Sequence, residues 1–88
     1  MVSWALAFTK RAQKDSKKLA SANLRGKAEI LLASIQANPF AIPPPFEKLV
    51  GDLNGLYSRR INIQHRLVYE VRPDERALVI HAMFTHYQ

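Results

Sequence analysis

The chain has 88 residues, a net charge of +6, a pI near 10.1 and no cysteine. A chain of this length can build only one hydrophobic core, so we expect a single domain over residues 1–88. Its 48% content of apolar residues is typical of a globular domain and excludes a disordered tail. The lack of cysteine excludes disulfides and thiolate metal sites.

Three further features narrow the class of protein. His65, His81 and His86 lack the spacing of metal ligands, so we expect no metal and no cofactor. The apolar run in residues 1–10 is too short for a signal peptide or a membrane span and has no basic region before it. We therefore expect a cytoplasmic protein without membrane association. The positive charge favours nucleic acid or an acidic protein as partner, and the alternative is that it serves solubility alone.

The first half of the chain predicts a strand and two helices. Residues 2–8 alternate weakly in polarity, and Thr9 is a suitable N-cap for a polar, basic helix over residues 10–20. The cations of that helix suit a solvated face as well as they suit contact with an RNA backbone. Apolar residues recur at helical spacing over residues 24–35, which predicts a second helix packed on the core.

The second half predicts a proline-rich loop and then an antiparallel meander. Residues 38–46 hold four of the five prolines and predict an extended connection, which ends the second helix at Asn38-Pro39. Strands are expected over residues 56–62, 66–72 and 77–84, with turns at Asn54-Gly55 and Pro73-Asp74-Glu75. The predicted fold class is α+β, with two amino-terminal helices packed on a small antiparallel β-sheet.

Alternation along the strands indicates which charged side chains share a face. Arg59 and Arg60 are consecutive, so only one of them can lie on the face of Arg66. If Ile61 and Ile63 face the core, Arg60 is the residue that lies beside Arg66. Two guanidinium groups placed together can hold a phosphate that gains charge during transfer.

The remaining polar residues, considered singly, favour ordinary roles. An ion-pair network across the strands with Glu70 is an alternative explanation of the arginines. His86 can exchange a proton near neutral pH, although a histidine in this position is more often solvated. His81 suits a strand and His65 suits a turn, whereas Glu47 in a loop can act as a base but is usually solvated.

A longer stretch of sequence changes this balance. The run from Tyr57 to Val71, followed by His86-Tyr87, resembles the signature of the Txe/YoeB toxins of the RelE/ParE superfamily. Similar residues of that family also match Asn38-Pro39-Phe40, Glu47-Lys48-Leu49 and Leu53-Asn54-Gly55. Residues 1–37 match mainly in their pattern of a strand and two helices.

The resemblance implies the toxin of a type II toxin–antitoxin system, an endoribonuclease that cleaves messenger RNA on the ribosome without a metal ion. By the same resemblance Glu47 is the general base, Arg66 stabilises the phosphate and His86 is the general acid. The set is chemically coherent, because this cleavage needs a group to deprotonate the 2′-hydroxyl, a cation at the phosphate and an acid for the departing 5′-oxygen.

The resemblance also implies three substrate-binding residues. Arg59 and Arg60 match the paired arginines of the family, and Tyr87 matches the tyrosine that helps to set the scissile nucleotide. The chain departs from the family pattern at Val50, where a basic residue is common, and at Gln88, which extends past the usual tyrosine. The first departure leaves a secondary phosphate contact open.

The expected partner is an antitoxin of the YefM/Phd type, and the sequence does not decide whether the toxin also forms a homodimer. The main alternative function is that of a non-catalytic toxin of the ParE kind, which inhibits DNA gyrase by binding. Relatives of that kind lack the set of Glu, Arg and His, so Glu47 and His86 favour cleavage. A plain RNA-binding domain ranks last, because the sequence lacks the exposed aromatic platform that stacks bases.

Overall fold

The computed structural model describes residues 3–42, 45–51 and 55–85 and contains two helices and five strands in these ranges. They are β1 (Ala5–Phe8), α1 (Lys10–Ser21), α2 (Arg25–Ala37), β2 (Phe46–Lys48), β3 (Leu56–Arg60), β4 (Arg66–Arg72) and β5 (Ala77–Thr85). The strands form one sheet in the order β1-β5-β4-β3-β2. The predicted α+β class is confirmed.

The sheet is mixed, which refines the predicted antiparallel arrangement. The pairs β2–β3, β3–β4 and β4–β5 are antiparallel, as the meander requires, whereas β1 pairs with β5 in parallel. Along the chain, both helices come after β1 and before the other four strands. This long connection allows β1 to run parallel to β5. The helices carry the backbone from one edge of the sheet to the other, where β2 begins.

Helix α1 is attached to β5 through two polar side chains. Thr9 is its N-cap, as predicted: the hydroxyl accepts the N–H of Ala12 at 3.1 Å and donates to the His81 carbonyl at 3.1 Å. Asp15 is buried, and its carboxylate accepts the N–H of Met83 at 3.0 Å. Met83 lies where the register of β4 and β5 is irregular, so Asp15 satisfies a backbone donor at that irregularity.

The core lies between the helices and one face of the sheet. Ala12 and Leu19 of α1 and Ala28, Leu31 and Ile35 of α2 pack with Leu67 and Tyr69 of β4 and with Leu78, Ile80 and Met83 of β5. Leu67 and Tyr69 share this face as predicted.

One part of the predicted alternation is wrong. Ile61 is buried, but Ile63 is 87% exposed. Strand β3 ends at Arg60, and residues 61–64 form bends, so the period of two does not continue to Ile63. The carboxamide oxygen of Asn62 accepts the N–H groups of Gln64 and His65, which stabilises this turn.

The sequence predicted an extended connection over the proline-rich residues, but the described part of this connection begins with a turn. The Asn38 side chain accepts the N–H of Phe40 at 3.0 Å, and its carbonyl accepts the N–H of Ala41 at 3.2 Å. The loop then leads into β2, a strand that the sequence pattern did not predict. Pro43 and Pro44 lie outside the described residues, as does Asn54 of the predicted turn.

The outer surface of α1 carries the largest group of cations on the helices. Lys10, Arg11, Lys14, Lys17 and Lys18 are all exposed. At 3.6 residues per turn they lie within an arc of about 120°, on the side of the helix opposite its buried residues. The predicted exposure of this basic face is confirmed. No helix within the described ranges is long and apolar enough to cross a membrane.

The cap of α1 can be tested by mutation. Replacing Thr9 with alanine should lower the free energy of unfolding by about 1–2 kcal/mol, because both the cap and the bond to β5 are lost. Ser21→Ala is the control, since this exposed hydroxyl bonds only within α1, to the Lys17 carbonyl, and should change stability by less than about 0.5 kcal/mol. Urea denaturation measures both, and equal stabilities for the two variants would contradict the role of Thr9.

Candidate active site

A small cleft lies on the face of the sheet opposite the helices. Its lining is Pro45, Glu47, Ser58, Arg60 and Arg66. The register of three strands builds it, because Glu47 of β2 pairs with Ser58 of β3 and Arg60 of β3 pairs with Arg66 of β4. Residues that pair across strands point to the same face, so four side chains from three strands converge here.

At the centre of the cleft, the guanidinium of Arg66 forms an ion pair with the carboxylate of Glu47. Arg66 Nη1 lies 3.2 Å from Glu47 Oε1, and the same nitrogen donates to Ser58 Oγ at 3.4 Å. The Arg66 side chain is only 13% exposed, whereas that of Glu47 is 63% exposed. The guanidinium is therefore held in the sheet, and the carboxylate is accessible to a ligand.

This ion pair contributes little to folding. Glu47 lies on β2, a three-residue strand at the edge of the sheet, and a pair with one exposed partner stabilises a protein by at most about 1 kcal/mol. A phosphate can replace the carboxylate at Arg66 with a small loss of stability, and it can then bind the guanidinium through two parallel hydrogen bonds.

Strand parity assigns the two consecutive arginines as predicted. Arg60 is exposed and lines the cleft beside Arg66. The alternative network across the strands also exists, but its members are other residues: Glu70 accepts from Arg72 Nε at 3.0 Å and bonds to His81 Nε2 at 3.0 Å. Arg66 pairs with Glu47.

The structure places Arg59, which the resemblance implies is a substrate-binding residue, away from the cleft. Arg59 is fully buried on the helix side of the sheet. Its Nε donates to Tyr69 Oη at 3.0 Å, its Nη1 to the Ala41 carbonyl at 2.9 Å and its Nη2 to the Pro39 carbonyl at 2.8 Å. Because neighbouring residues on a strand point to opposite faces, the exposure of Arg60 directs Arg59 into the interior.

The candidate acid His86 and the candidate substrate contact Tyr87 lie outside the described residues, as does Gln88. The backbone of Thr85, the last residue of β5, pairs with Arg66 of β4.

Ser58 and the edge strand are the parts of the site that sequence patterns missed. Parity placed Ser58 on the correct face, but its contact with Arg66 and its pairing with Glu47 depend on β2. A three-residue strand after a proline run has no periodicity that could reveal it. Within the described ranges, no group of three His, Asp or Glu side chains is arranged to hold a metal ion.

Comparisons with known proteins agree with this architecture. Residues 8–87 match the family described as "YoeB-like toxin of bacterial type II toxin-antitoxin system". The chain is 43% identical over 77 residues to Toxin YoeB of Synechocystis sp., an alignment that covers 86% of this chain and 79% of the relative. The alignments with the mycobacterial relatives, Toxin YoeB of Mycobacterium bovis and Toxin RelK of Mycobacterium tuberculosis, are shorter, so the chain spans about half of their length, 53%.

Solved structures resemble the whole fold. The "YoeB/ParE toxin from Agrobacterium tumefaciens" superimposes with a TM-score of 0.85 at 30% identity, covering 94% of this chain and 99% of that one. The "YoeB-YefM complex from Staphylococcus aureus" gives a TM-score of 0.80 at 36% identity, with 96% and 98% covered. The "YoeB dimer" from the same organism gives 0.79 at 35% identity, with 97% and 99% covered.

The ion pairs of Glu70 predict a pH dependence of stability. Hydrogen bonds from His81 and then from Arg72 lower the pKa of Glu70 in the folded protein. The stabilisation is therefore complete above the ordinary glutamate pKa of about 4.3 and is lost as the pH falls through the lower folded value. Glu70→Gln should flatten the decline in melting temperature between about pH 5 and pH 3. Thermal melts across this range measure it, and parallel declines in both proteins would contradict it.

Proposed function

Because the chain belongs to the YoeB-like toxin family of bacterial type II toxin–antitoxin systems, we propose that it is an endoribonuclease that cleaves messenger RNA on the ribosome in the cytoplasm. The observation that carries the proposal is the contact of 3.2 Å between Glu47 and Arg66 in an open cleft. It joins a proton acceptor to a cation that suits phosphate, the two groups that the first step of RNA cleavage needs.

In the proposed reaction, Glu47 accepts the proton of a 2′-hydroxyl and the 2′-oxygen attacks the adjacent phosphorus. The bond from phosphorus to the 5′-oxygen breaks, which leaves a 2′,3′-cyclic phosphate on one fragment. His86 donates a proton to the departing 5′-oxygen of the other fragment. Arg66 binds the nonbridging oxygens, where negative charge increases in the transition state.

The contacts of Arg66 suit this role. Ser58 and the neighbouring strands hold its guanidinium in one place, so little reorganisation is needed when the phosphate arrives. Arg60 pairs with Arg66 across the strands and adds a second, exposed guanidinium to the same cleft. It can bind a phosphate next to the scissile one. Tyr87 is proposed to hold the nucleotide base.

The basic face of α1 supports binding to the ribosome. Its exposed cations lie across the sheet from the cleft, because α1 packs on the other face of β5. Contacts from lysine and arginine to phosphates give affinity without sequence preference. The message can therefore occupy the cleft while structured RNA contacts α1.

The net charge of +6 also suits an acidic antitoxin. We propose an antitoxin of the YefM/Phd type whose segment covers Arg60 and Arg66, so that inhibitor and message compete for the same cations. The S. aureus YoeB-YefM complex, which contains a toxin of this fold, supports the proposal. The solved S. aureus dimer supports a homodimer of this chain in the same way.

Arg66→Lys tests whether the guanidinium holds a phosphate. Lysine keeps the charge but cannot form two parallel bonds, so cleavage of a ribosome-bound message in a single turnover should fall by roughly 10²-fold. Arg72→Lys is the matched control, because this arginine of β4 bonds to Glu70 away from the cleft and should leave the rate unchanged. Equal rates for Arg66→Lys and wild type would reject the role. Intact transcripts with lost DNA supercoiling after induction of the wild type would instead indicate gyrase inhibition.

His86→Ala and a chain that lacks residues 86–88 test the general acid. Both should lower cleavage by 10²–10⁴-fold, the usual contribution of such a group. No residue of the described core is removed, so the melting temperature should barely change and co-sedimentation with ribosomes should persist. Near-normal cleavage by the shortened chain would rule out the acid assignment, and loss of folding would show that these residues are structural.

A further inference from the structure

The buried guanidinium of Arg59 joins β3 to β4 and to the loop after α2. All three of its nitrogens meet an oxygen: Nε that of the Tyr69 hydroxyl on β4, and the two Nη atoms the carbonyls of Pro39 and Ala41 in the loop after α2. Transfer of a guanidinium from water into a protein interior is unfavourable unless hydrogen bonds replace those to water. Two of the three bonds go directly to the loop, so this loop is the part of the structure on which Arg59 mainly acts.

Tyr69 strengthens the same attachment. Its hydroxyl accepts from Arg59 and donates to the Pro39 carbonyl at 2.8 Å, so that carbonyl receives two hydrogen bonds. Burial raises the pKa of Tyr69, which keeps the hydroxyl protonated and able to donate. The position of the loop relative to β3 and β4 is therefore set by directional bonds from two buried side chains.

Arg59 also contacts the strand that carries the candidate base. Phe46 pairs with Arg59 in the β2–β3 register, and its ring lies under the guanidinium with 5.0 Å from the carbon Cζ to the ring centroid. The Phe46 ring also packs against Phe40 of the loop, at 5.9 Å, and against Tyr57 of β3, at 5.7 Å. Glu47 is the next residue after Phe46, on the opposite face of the strand.

Strand β2 needs such support. It has three residues and, among the described strands, hydrogen-bonds to a neighbour on one side only, so its own ladder gives it little rigidity. A displacement of a catalytic group by about 1 Å can lower a rate by about 10²-fold. We infer that Arg59 is a positioning residue for Glu47: it fixes the loop before β2 and the ring of Phe46, and thereby sets the carboxylate against Arg66. This inference rests on the proposed function.

The first experiment measures how strongly the backbone amides of β2 are protected from hydrogen exchange. Arg59→Lys keeps a buried cation but lacks the planar guanidinium that donates to three oxygens at once. Tyr69→Phe removes one hydroxyl and keeps the aromatic ring in the core. Amide hydrogen exchange at Phe46–Lys48 should accelerate at least 10-fold in Arg59→Lys and by a smaller factor in Tyr69→Phe, relative to the amides of β4. Unchanged exchange at β2 in folded variants would overturn the inference without reference to catalysis. If Arg59→Lys does not fold, Tyr69→Phe decides.

The second experiment asks whether Arg59 acts through Glu47. In single-turnover cleavage of a ribosome-bound message, Arg59→Lys should lower the maximal rate by roughly 10-fold to 10²-fold and leave the half-saturating toxin concentration unchanged. In a Glu47→Gln background the same change should cost no further rate, because the group that it positions is absent. Tyr69→Phe should show the same coupling with a smaller effect.

The outcomes separate the two proposals. Equal cleavage by Glu47→Gln and wild type would reject the proposed function, and with it the positioning role. If Glu47→Gln is slow while Arg59→Lys and Tyr69→Phe cut at the wild-type rate, the positioning role alone is rejected. An equal fold-loss from Arg59→Lys with and without Glu47 would mean that Arg59 only stabilises the fold, and would also overturn the inference.

Discussion

The structure of the cleft depends on the alternation of side chains along β3. Consecutive strand residues point to opposite faces, so the Arg59-Arg60 pair is divided between the interior and the surface. One arginine binds the loop that leads to β2, and the other lines the cleft. A shift of one residue in the pairing of β3 would turn Arg59 to the surface, where it could no longer donate to the loop carbonyls, and would remove Arg60 from the cleft.

The two faces of the sheet divide stability from chemistry. On the helix side, apolar packing and the buried contacts of Thr9 and Asp15 hold α1 to β5. On the cleft side, the ion pair of Glu47 and Arg66 has an exposed partner and contributes little to folding. The cleft can therefore exchange partners, from its own carboxylate to a phosphate, while the core remains intact. Arg59 connects the two sides, because it is buried in the core and contacts the strand that carries Glu47.

Sequence patterns predicted both helices and the strands β1, β3, β4 and β5, because each has a local pattern of apolar residues or is bounded by turn residues. They also placed Arg60 with Arg66 by parity. They did not predict β2, which is too short to have a period, or the parallel pairing of β1 with β5, whose partners are more than seventy residues apart, as in Ala5 and Ala77. The role of Glu47 came from family resemblance, since a glutamate in a loop carries no pattern of its own. The burial of Arg59 was hidden because its partners are loop carbonyls brought near by the tertiary structure, and arginine is ordinarily exposed.

The use of arginine at position 59 is itself informative. A hydrophobic residue of similar volume often stabilises a core as well as a buried cation does. Such a residue here would leave the Ala41 carbonyl without this donor and the Pro39 carbonyl with the Tyr69 hydroxyl alone. A buried carbonyl that loses its donor costs about 1–3 kcal/mol. Apolar contacts would also limit the distance between loop and sheet without setting the orientation of the loop. Hydrogen bonds are directional, and three of them from one rigid, planar group define both distance and orientation. The guanidinium therefore suits a position where an edge strand must present a carboxylate at one angle, and a closely packed apolar side chain could not provide that constraint.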